Sequence, residues 1–307
     1  MAEAAPKLFD RALLRQRRRR AEKLAQRPGA RDPGFLLDHV LNDVDERLAA
    51  VERSFDTAID LSNDDGRVAA RLAENPRVQS LVRLVEATPV MVDAGTPTLV
   101  GDLEALPLAT HKANLITSLL ALQWINDLPG TLVQIRRALR PDGLFLGTFV
   151  GGATLNELRD VLTQEEAEAT GGASPKVMPF VDVRDFGSLL QRAGFALPVT
   201  DVDTLTVRYD TLFSLMADLR AMAATNILRQ RSRRPWTRSR VVRAAQLYAD
   251  KYSDPDGRIR ATFQIISFSG WAPSEIQQKP LRPGSARTSL AEALGTDEKA
   301  AGEKAGL

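Results

Sequence analysis

The chain contains no cysteine, which excludes disulfides and thiolate metal sites. Its two histidines, His39 and His111, are too few for a histidine-rich metal centre, and no metal site is expected. No apolar run approaches the ~18 residues needed to cross a bilayer, so no transmembrane segment is expected. An excess of one charge is missing too: 41 Lys and Arg against 39 Asp and Glu leave a net +2. No Ser-His-Asp or Cys-His set is visible, so nucleophilic catalysis has no support. What the chain does have is a 44% apolar fraction over 307 residues, enough for one large α/β domain with insertions.

The stretch Gly101–Phe149 reads as a βαβ unit. NLITSLLAL is an apolar run of strand length; LPGTLVQIRRALR follows with Leu128, Leu132, Ile135 and Leu139 at helical spacing. Arg-Pro-Asp-Gly makes a turn, and LFLGTFV is a second strand. Runs that are apolar at every position suit strands covered by helices on both faces. Upstream, residues 34–53 carry Leu37, Val40, Leu41, Val44 and Leu48 at helical spacing. FDTAIDL, QSLVRLVE (ending at Glu86) and TPTLVGD supply three earlier strands. Downstream, residues 182–195 form a helix closed by Gly194. Residues 196–209 and 260–271 form an antiparallel pair, with a helical insertion at 211–250 between them. The tail is expected to be disordered beyond about Leu294. The expected organisation is a basic helical segment at 1–53, an α/β domain at 54–274 and a tail at 275–307.

By residue type, order and spacing, D-x-E-x-L-P-L from Asp102, Gln123-Trp124 after the fourth strand, and L-R-P-D-G-L-F resemble the second half of class I S-adenosylmethionine (SAM) dependent methyltransferases. FDRALLRQRRRRA, GGATLNELRDVL, SPKVMPFVDVRDFGSLLQRAGFALPVTDVD, ATFQIISFSGW and LRPGSARTSL are similar to one branch of that superfamily. The branch holds the methyltransferase-like assembly factor of respiratory complex I, an arginine hydroxylase, and its alphaproteobacterial relatives; more distant is the malonyl-carrier-protein methyltransferase of biotin synthesis. The resemblance implies a Rossmann-like SAM-methyltransferase fold: a mostly parallel seven-stranded sheet with an antiparallel last strand, N-terminal helices and a helical insertion. It also implies SAM as cofactor.

The first strand-to-helix turn bears most on that cofactor. Active members of the superfamily end the strand in an acid and follow it with G-x-G-x-G, so that backbone and helix N-terminus approach the ligand's carboxylate. Here the turn reads Asp60-Leu61-Ser62-Asn63-Asp64-Asp65-Gly66: Asp60 and Gly66 are kept, while Ser62 and Asp64 replace glycines. An acid ~4 Å from a ligand carboxylate costs about 4 kcal/mol at an effective dielectric of 20, so SAM binding is expected to be weakened or lost. Returning Ser62 and Asp64 to glycine is expected to restore it. A ligand-free reading of the same residues has Ser62, Asn63 and Asp64 capping a helix that begins at Asp65. By the resemblance, the cofactor residues are Asp60, Ser62, Gly66, Glu86, Asp102, Leu103 and Leu119, with Glu86 on the ribose hydroxyls and Asp102 with the Leu103 amide at the adenine edge. The alternative for Glu86 is a solvated strand-end acid.

Gln123 and Trp124 are the catalytic candidates, and Trp124 and Tyr209 the substrate-binding ones. Gln123 can position a hydroxyl or guanidinium but is no general base. The alternative for Trp124 is a core aromatic beneath the insertion; Phe213 also reads as core. The first thirty-one residues hold ten Lys or Arg against three acids. They read as a solvated helix against the domain, a targeting peptide, or a contact for an anionic membrane or acidic partner. Seven arginines between Arg229 and Arg243 interleave with Trp236; a lid or a protein-docking surface is favoured over nucleic acid. The functional expectation is a SAM-dependent enzyme acting on a protein or small molecule in complex I assembly, its partner a respiratory complex subunit. It is expected in the bacterial cytoplasm, with peripheral contact to the inner membrane. The alternative is a non-catalytic assembly factor with a degenerate SAM loop.

Overall fold

The computed structural model describes residues 7–29, 32–62, 64–87, 95–277, 292 and 295–296. Seven strands among them form one sheet: β1 (Ala58–Asp60), β2 (Leu81–Val85), β3 (Thr98–Val100), β4 (Ala113–Leu119), β5 (Leu139–Val150), β6 (Ala196–Tyr209) and β7 (Ile259–Trp271). Their order is β3-β2-β1-β4-β5-β7-β6. Strands β3 to β5 run parallel, and β7 is antiparallel to both β5 and β6. This is the expected architecture. The order reverses between β1 and β4, and open α/β sheets bind ligands beyond the strand ends at such a switch point.

Among the described residues eight α-helices accompany the sheet: α1 (Arg11–Ala25), α2 (Phe35–Ala50), α3 (Arg67–Ala73), α4 (Leu128–Ala138), α5 (Asn156–Thr170), α6 (Val183–Arg192), α7 (Leu212–Ala221) and α8 (Arg238–Tyr252). Strand alternation divides the core into two layers. Leu115, Leu119, Leu144, Leu146 and Phe263 meet α2, α3, α5, α7 and α8 on one face. On the other face Ile116, Phe145, Phe149, Ile266 and Phe268 meet α4 and α6. There Phe186 meets Phe149 edge to face and Phe268 at a tilt, with ring centroids 4.5 and 4.8 Å away. Both faces of β4 and β5 are therefore covered, which is why their sequences are apolar at nearly every position.

Four elements differ from the sequence reading. Strand β5 starts at Leu139, because the Arg-Pro-Asp-Gly turn is a bulge inside the strand: pairing jumps from Ala113–Leu139 to Leu115–Leu144, and Asp142 takes a left-handed φ of 61°. Helix α5 occupies a stretch to which no element was assigned. Its acids suggest a solvent face, yet Glu157, Glu165 and Glu166 are buried against internal donors. The insertion is two helices, α7 and α8, joined by a non-helical segment over 222–237, and α8 runs on to Tyr252. Phe213 is 52% exposed and is not core.

No helix among the described residues is long and apolar enough to cross a membrane. The chain divides after Pro273, with residues 274–307 as a second, small unit. Apart from Gly295 and Thr296, the tail expected to be disordered lies outside the described residues.

Gly147 tests the packing between the two layers. A Cβ there meets the Ser118 carbonyl oxygen and lies 2.6 Å from the Phe268 ring. Gly147→Ala is expected to cost about 1–3 kcal/mol by overpacking, read as a lower urea midpoint; an unchanged midpoint contradicts the packing described.

Candidate functional site

A cavity of about 940 Å³ opens at the carboxyl ends of β1 and β4. Ser62, Asp64 and Asp65 of the β1–α3 loop and Leu119, Leu120, Gln123 and Trp124 after β4 line one side of it. Helices α1, α2 and α7 supply further walls through Leu14, Leu36 and Met216, and the segment before α6 adds Met178 and Phe180.

The β1–α3 loop is built without its first two glycines. Asp60 is 1% exposed and does not line the cavity. Its Oδ1 accepts from the Ser62 amide at 3.1 Å, from the Ser62 hydroxyl, and from Thr117 Oγ1 at 3.1 Å. Ser62 Oγ in turn accepts from the Leu119 amide at 2.9 Å, so this side chain ties the tips of β1 and β4 together. Gly66 holds a φ of 113° as the N-cap of α3, a conformation only glycine adopts without strain. Helix α3 therefore begins at Arg67 rather than at Asp65. Asp64 still caps it, its Oδ2 accepting from the Val68 amide at 2.9 Å. Asn63 lies outside the described residues.

Burial and the neighbouring Asp64 carboxylate push Asp60 up to about 7, against the hydrogen bonds from Ser62 and Thr117 that favour its charge. Behind the loop stands Arg83, 1% exposed in the middle of β2. Its Nη2 donates to the Asp64 carbonyl at 3.0 Å and lies 3.4 Å from Asp64 Oδ1.

The acids of the second and third strands converge on an arginine. Nη2 of Arg11, in the first turn of α1, bonds both Glu86 and Asp102, and its Nη1 pairs with Glu104 at 2.9 Å. Arg18, two turns along α1, donates to the second Glu86 oxygen at 2.7 Å. The Glu86 side chain is 5% exposed, so it is a buried, doubly paired carboxylate and not a solvated strand end. Burial works against the Asp102 charge, but the Glu104 amide and Arg11 hold it below the usual carboxylate range. Helix α1 is thus not simply a solvated basic helix. Arg11, Arg17 and Arg18 face the domain, Arg17 reaching the Asn226 carbonyl at 2.6 Å, while Arg19 and Arg20 stay exposed.

The other expected residues are dispersed. Leu119 lines the cavity; Leu103 is buried on the opposite face of the sheet, its carbonyl accepting from Thr131. Gln123 Nε2 donates to the Leu120 carbonyl at 2.7 Å, and its Oε1 is buried with no partner among the described residues. Trp124 is both core and lining, packed with Phe9, Leu14, Met178, Ile227 and Leu228. Tyr209 sits in the main core and is absent from the cavity wall. In the arginine-rich insertion, Arg231, Arg240 and Arg243 are consumed by Asp10, Glu165 and Glu168. Trp236 lies between Lys176 and Arg240, 5.6 and 4.8 Å from its ring centre.

Arg11, Arg18 and Arg83 are the site residues that sequence reasoning missed. One signal was available: an arginine inside the otherwise apolar strand LVRLV needs a buried acid as its partner.

Residues 57–147 match a family described as a methyltransferase domain. The mitochondrial arginine-hydroxylase NDUFAF5 of Danio rerio is 34% identical over 289 residues, covering 93% of this chain and 89% of that protein. The chain belongs to the NDUFAF5 family. A malonyl-[acyl-carrier protein] O-methyltransferase of Laribacter hongkongensis is 37% identical over 192 residues, 62% of each chain. The crystal structure of Bacillus subtilis YcgJ shares the fold, with a TM-score of 0.53 at 15% identity over 77% of this chain and 99% of that one. Family membership makes this protein an enzyme of the methyltransferase type.

Asp60 gives a pH test. Its folded value lies above the ordinary carboxyl value of about 3.9, so its contribution to stability is full below that pH and is lost as pH rises through about 7. Urea unfolding of the wild type is expected to weaken with rising pH across that window, relative to Asp60→Asn, by up to about 1.4 kcal/mol per pH unit. Parallel curves contradict the assignment.

Proposed function

We propose that this protein binds SAM at the β1–β4 switch point and methylates a side chain of a protein partner; the name of its arginine-hydroxylase relatives supports a protein as the substrate class, not the reaction. The observation that carries this reading is the cavity of about 940 Å³ at the carboxyl ends of β1 and β4, within the range of small-molecule sites and lined by Ser62, Asp64, Leu119 and Gln123, with Glu86 and Asp102 converging on one guanidinium outside that lining. The residues fit the cofactor. Glu86 has two acceptor oxygens for a vicinal diol, and Asp102 can accept from an exocyclic amine. Gln123 Oε1, buried and without a described partner, offers an acceptor to a substrate N–H at the cavity wall. When bound, the sulfonium supplies an electrophilic methyl group. Leu119, Leu120 and Trp124 keep water from that wall, and Gln123 orients the acceptor without serving as a base.

The acids are guarded as the chain stands. Arg11 and Arg18 hold both Glu86 oxygens, so ribose hydroxyls and α1 compete for one carboxylate. The same contact favours the second reading, an assembly factor on a methyltransferase fold that has given up its cofactor. We further read the protein as a bacterial cytoplasmic factor of respiratory complex assembly, peripheral to the inner membrane, with the exposed Arg19 and Arg20 available to an anionic surface.

Calorimetric titration with SAM separates the two. Binding by the wild type, and about tenfold tighter binding by Arg11→Gln/Arg18→Gln (about 1.4 kcal/mol), are expected of the guarded enzyme. No heat and no thermal shift at millimolar SAM from either protein leaves the scaffold. Weaker binding by the double variant shows that the arginines hold the cofactor rather than exclude it.

A further inference from the structure

Replacing glycines by Ser62 and Asp64 damages a cofactor loop unless something else compensates. The compensation lies beneath the loop. Arg83 is fully buried in β2, where its neighbours Leu81, Leu84 and Val85 are apolar and also buried. Its Nη2 holds the backbone carbonyl of Asp64 and faces that residue's carboxylate. Its Nη1 lies 3.2 Å from where a Cβ on Gly66 would stand, so the surviving glycine also makes room for the guanidinium. The Nε of Arg83 is buried with no partner among the described residues. A chain that keeps such a group has a use for its charge, because a buried cation is tolerated only beside its counterion.

We propose that Arg83 is a positioning residue of the cofactor loop and that Asp64 and Arg83 together do the work of the missing glycine. Asp64 spends Oδ2 on the Val68 amide and turns Oδ1 and its own carbonyl toward Arg83. The pair fixes the loop that a glycine turn leaves to the ligand, and it cancels the charge that would repel the carboxylate of an amino-acid ligand end. Asp64→Gly alone does not restore a glycine loop, because it strands Arg83 as an uncompensated buried cation. Ser62→Gly alone removes the hydroxyl that joins Asp60 to the Leu119 amide.

This inference rests on the cofactor reading above. Its test is a double-mutant cycle on the full chain with Asp64→Gly, Arg83→Met and both together. Two readouts are followed: the urea midpoint without ligand, and SAM affinity by calorimetry under conditions where each variant is folded. Each single change is expected to lower both the midpoint and the affinity, the latter about tenfold or more. The double variant is expected to recover both to near the wild-type level, a strong coupling of the kind found between residues in contact. A purely structural pair moves the midpoint and leaves the affinity of folded protein unchanged, which overturns the positioning role. Additive losses with SAM bound by the wild type overturn the pairing and leave the cofactor reading standing. A coupled midpoint with no SAM binding by any variant, wild type included, overturns the cofactor reading and with it the role of Arg83 in holding a ligand.

Discussion

Carboxylates gathered at one edge of a parallel sheet repel one another unless cations answer them, and in this protein Arg11 gives the main answer. One guanidinium reaches Glu86, Asp102 and Glu104, groups brought together by β2 and by the loop that follows β3. Burial opposes its charge, yet the Glu86 contact holds Arg11 above its ordinary value, so it stays cationic. The position of α1 follows from this contact. With Arg11 and Arg18 fixed on Glu86, the same helix places Leu14 against Trp124 and roofs the cavity. The acids act beside the apolar packing of Phe9 and Leu14 and the Arg17 contact with the Asn226 carbonyl, which hold the same helix against the domain.

Arg83 applies the same rule a few ångströms deeper. The acids that follow β2 and β3 are met by arginines from another element, and the loop acid Asp64 by an arginine from the sheet itself. In both places a feature associated with a bound ligand, an acid poised for ribose or a loop shaped around an amino-acid carboxylate, is satisfied by the chain's own cations. The fold and relatives are those of a methyltransferase-type enzyme, and the acids at its polar end are paired with the chain's own arginines. A buried ion pair need not stabilise relative to an apolar core, but losing one partner costs several kcal/mol, about 3–5 in measured cases. These arginines and acids therefore have to be understood in pairs.

Much of the fold was legible in the sequence because its signals are local. Strands β4 and β5 announce themselves by continuous apolar runs, α2 by its helical stripe, and α6 by Asp182 at its start and Gly194 at its end. The bulge in β5 was not legible, since Arg-Pro-Asp-Gly reads equally well as a turn between elements. Helix α5 was missed because burial of Glu157, Glu165 and Glu166 depends on donors such as Arg240 and Thr262, distant in sequence. The site divides the same way. The resemblance pointed to Glu86, Asp102 and Gln123, whereas the partners these side chains take are tertiary facts: 75 residues separate Arg11 from Glu86, and 19 separate Asp64 from Arg83. Tyr209 was put forward for its position beside the insertion, and its side chain packs into the core, a tertiary fact that position does not reveal.

The central claim is that Glu86 has two alternative sets of partners, the arginines of α1 and the ribose of a cofactor. The most direct test is a crystal structure of the full chain grown with saturating S-adenosylhomocysteine. The account predicts ribose hydroxyls on the Glu86 carboxylate, with Arg11 and Arg18 turned away from it. A bound ligand with both arginine pairs to Glu86 still in place contradicts it.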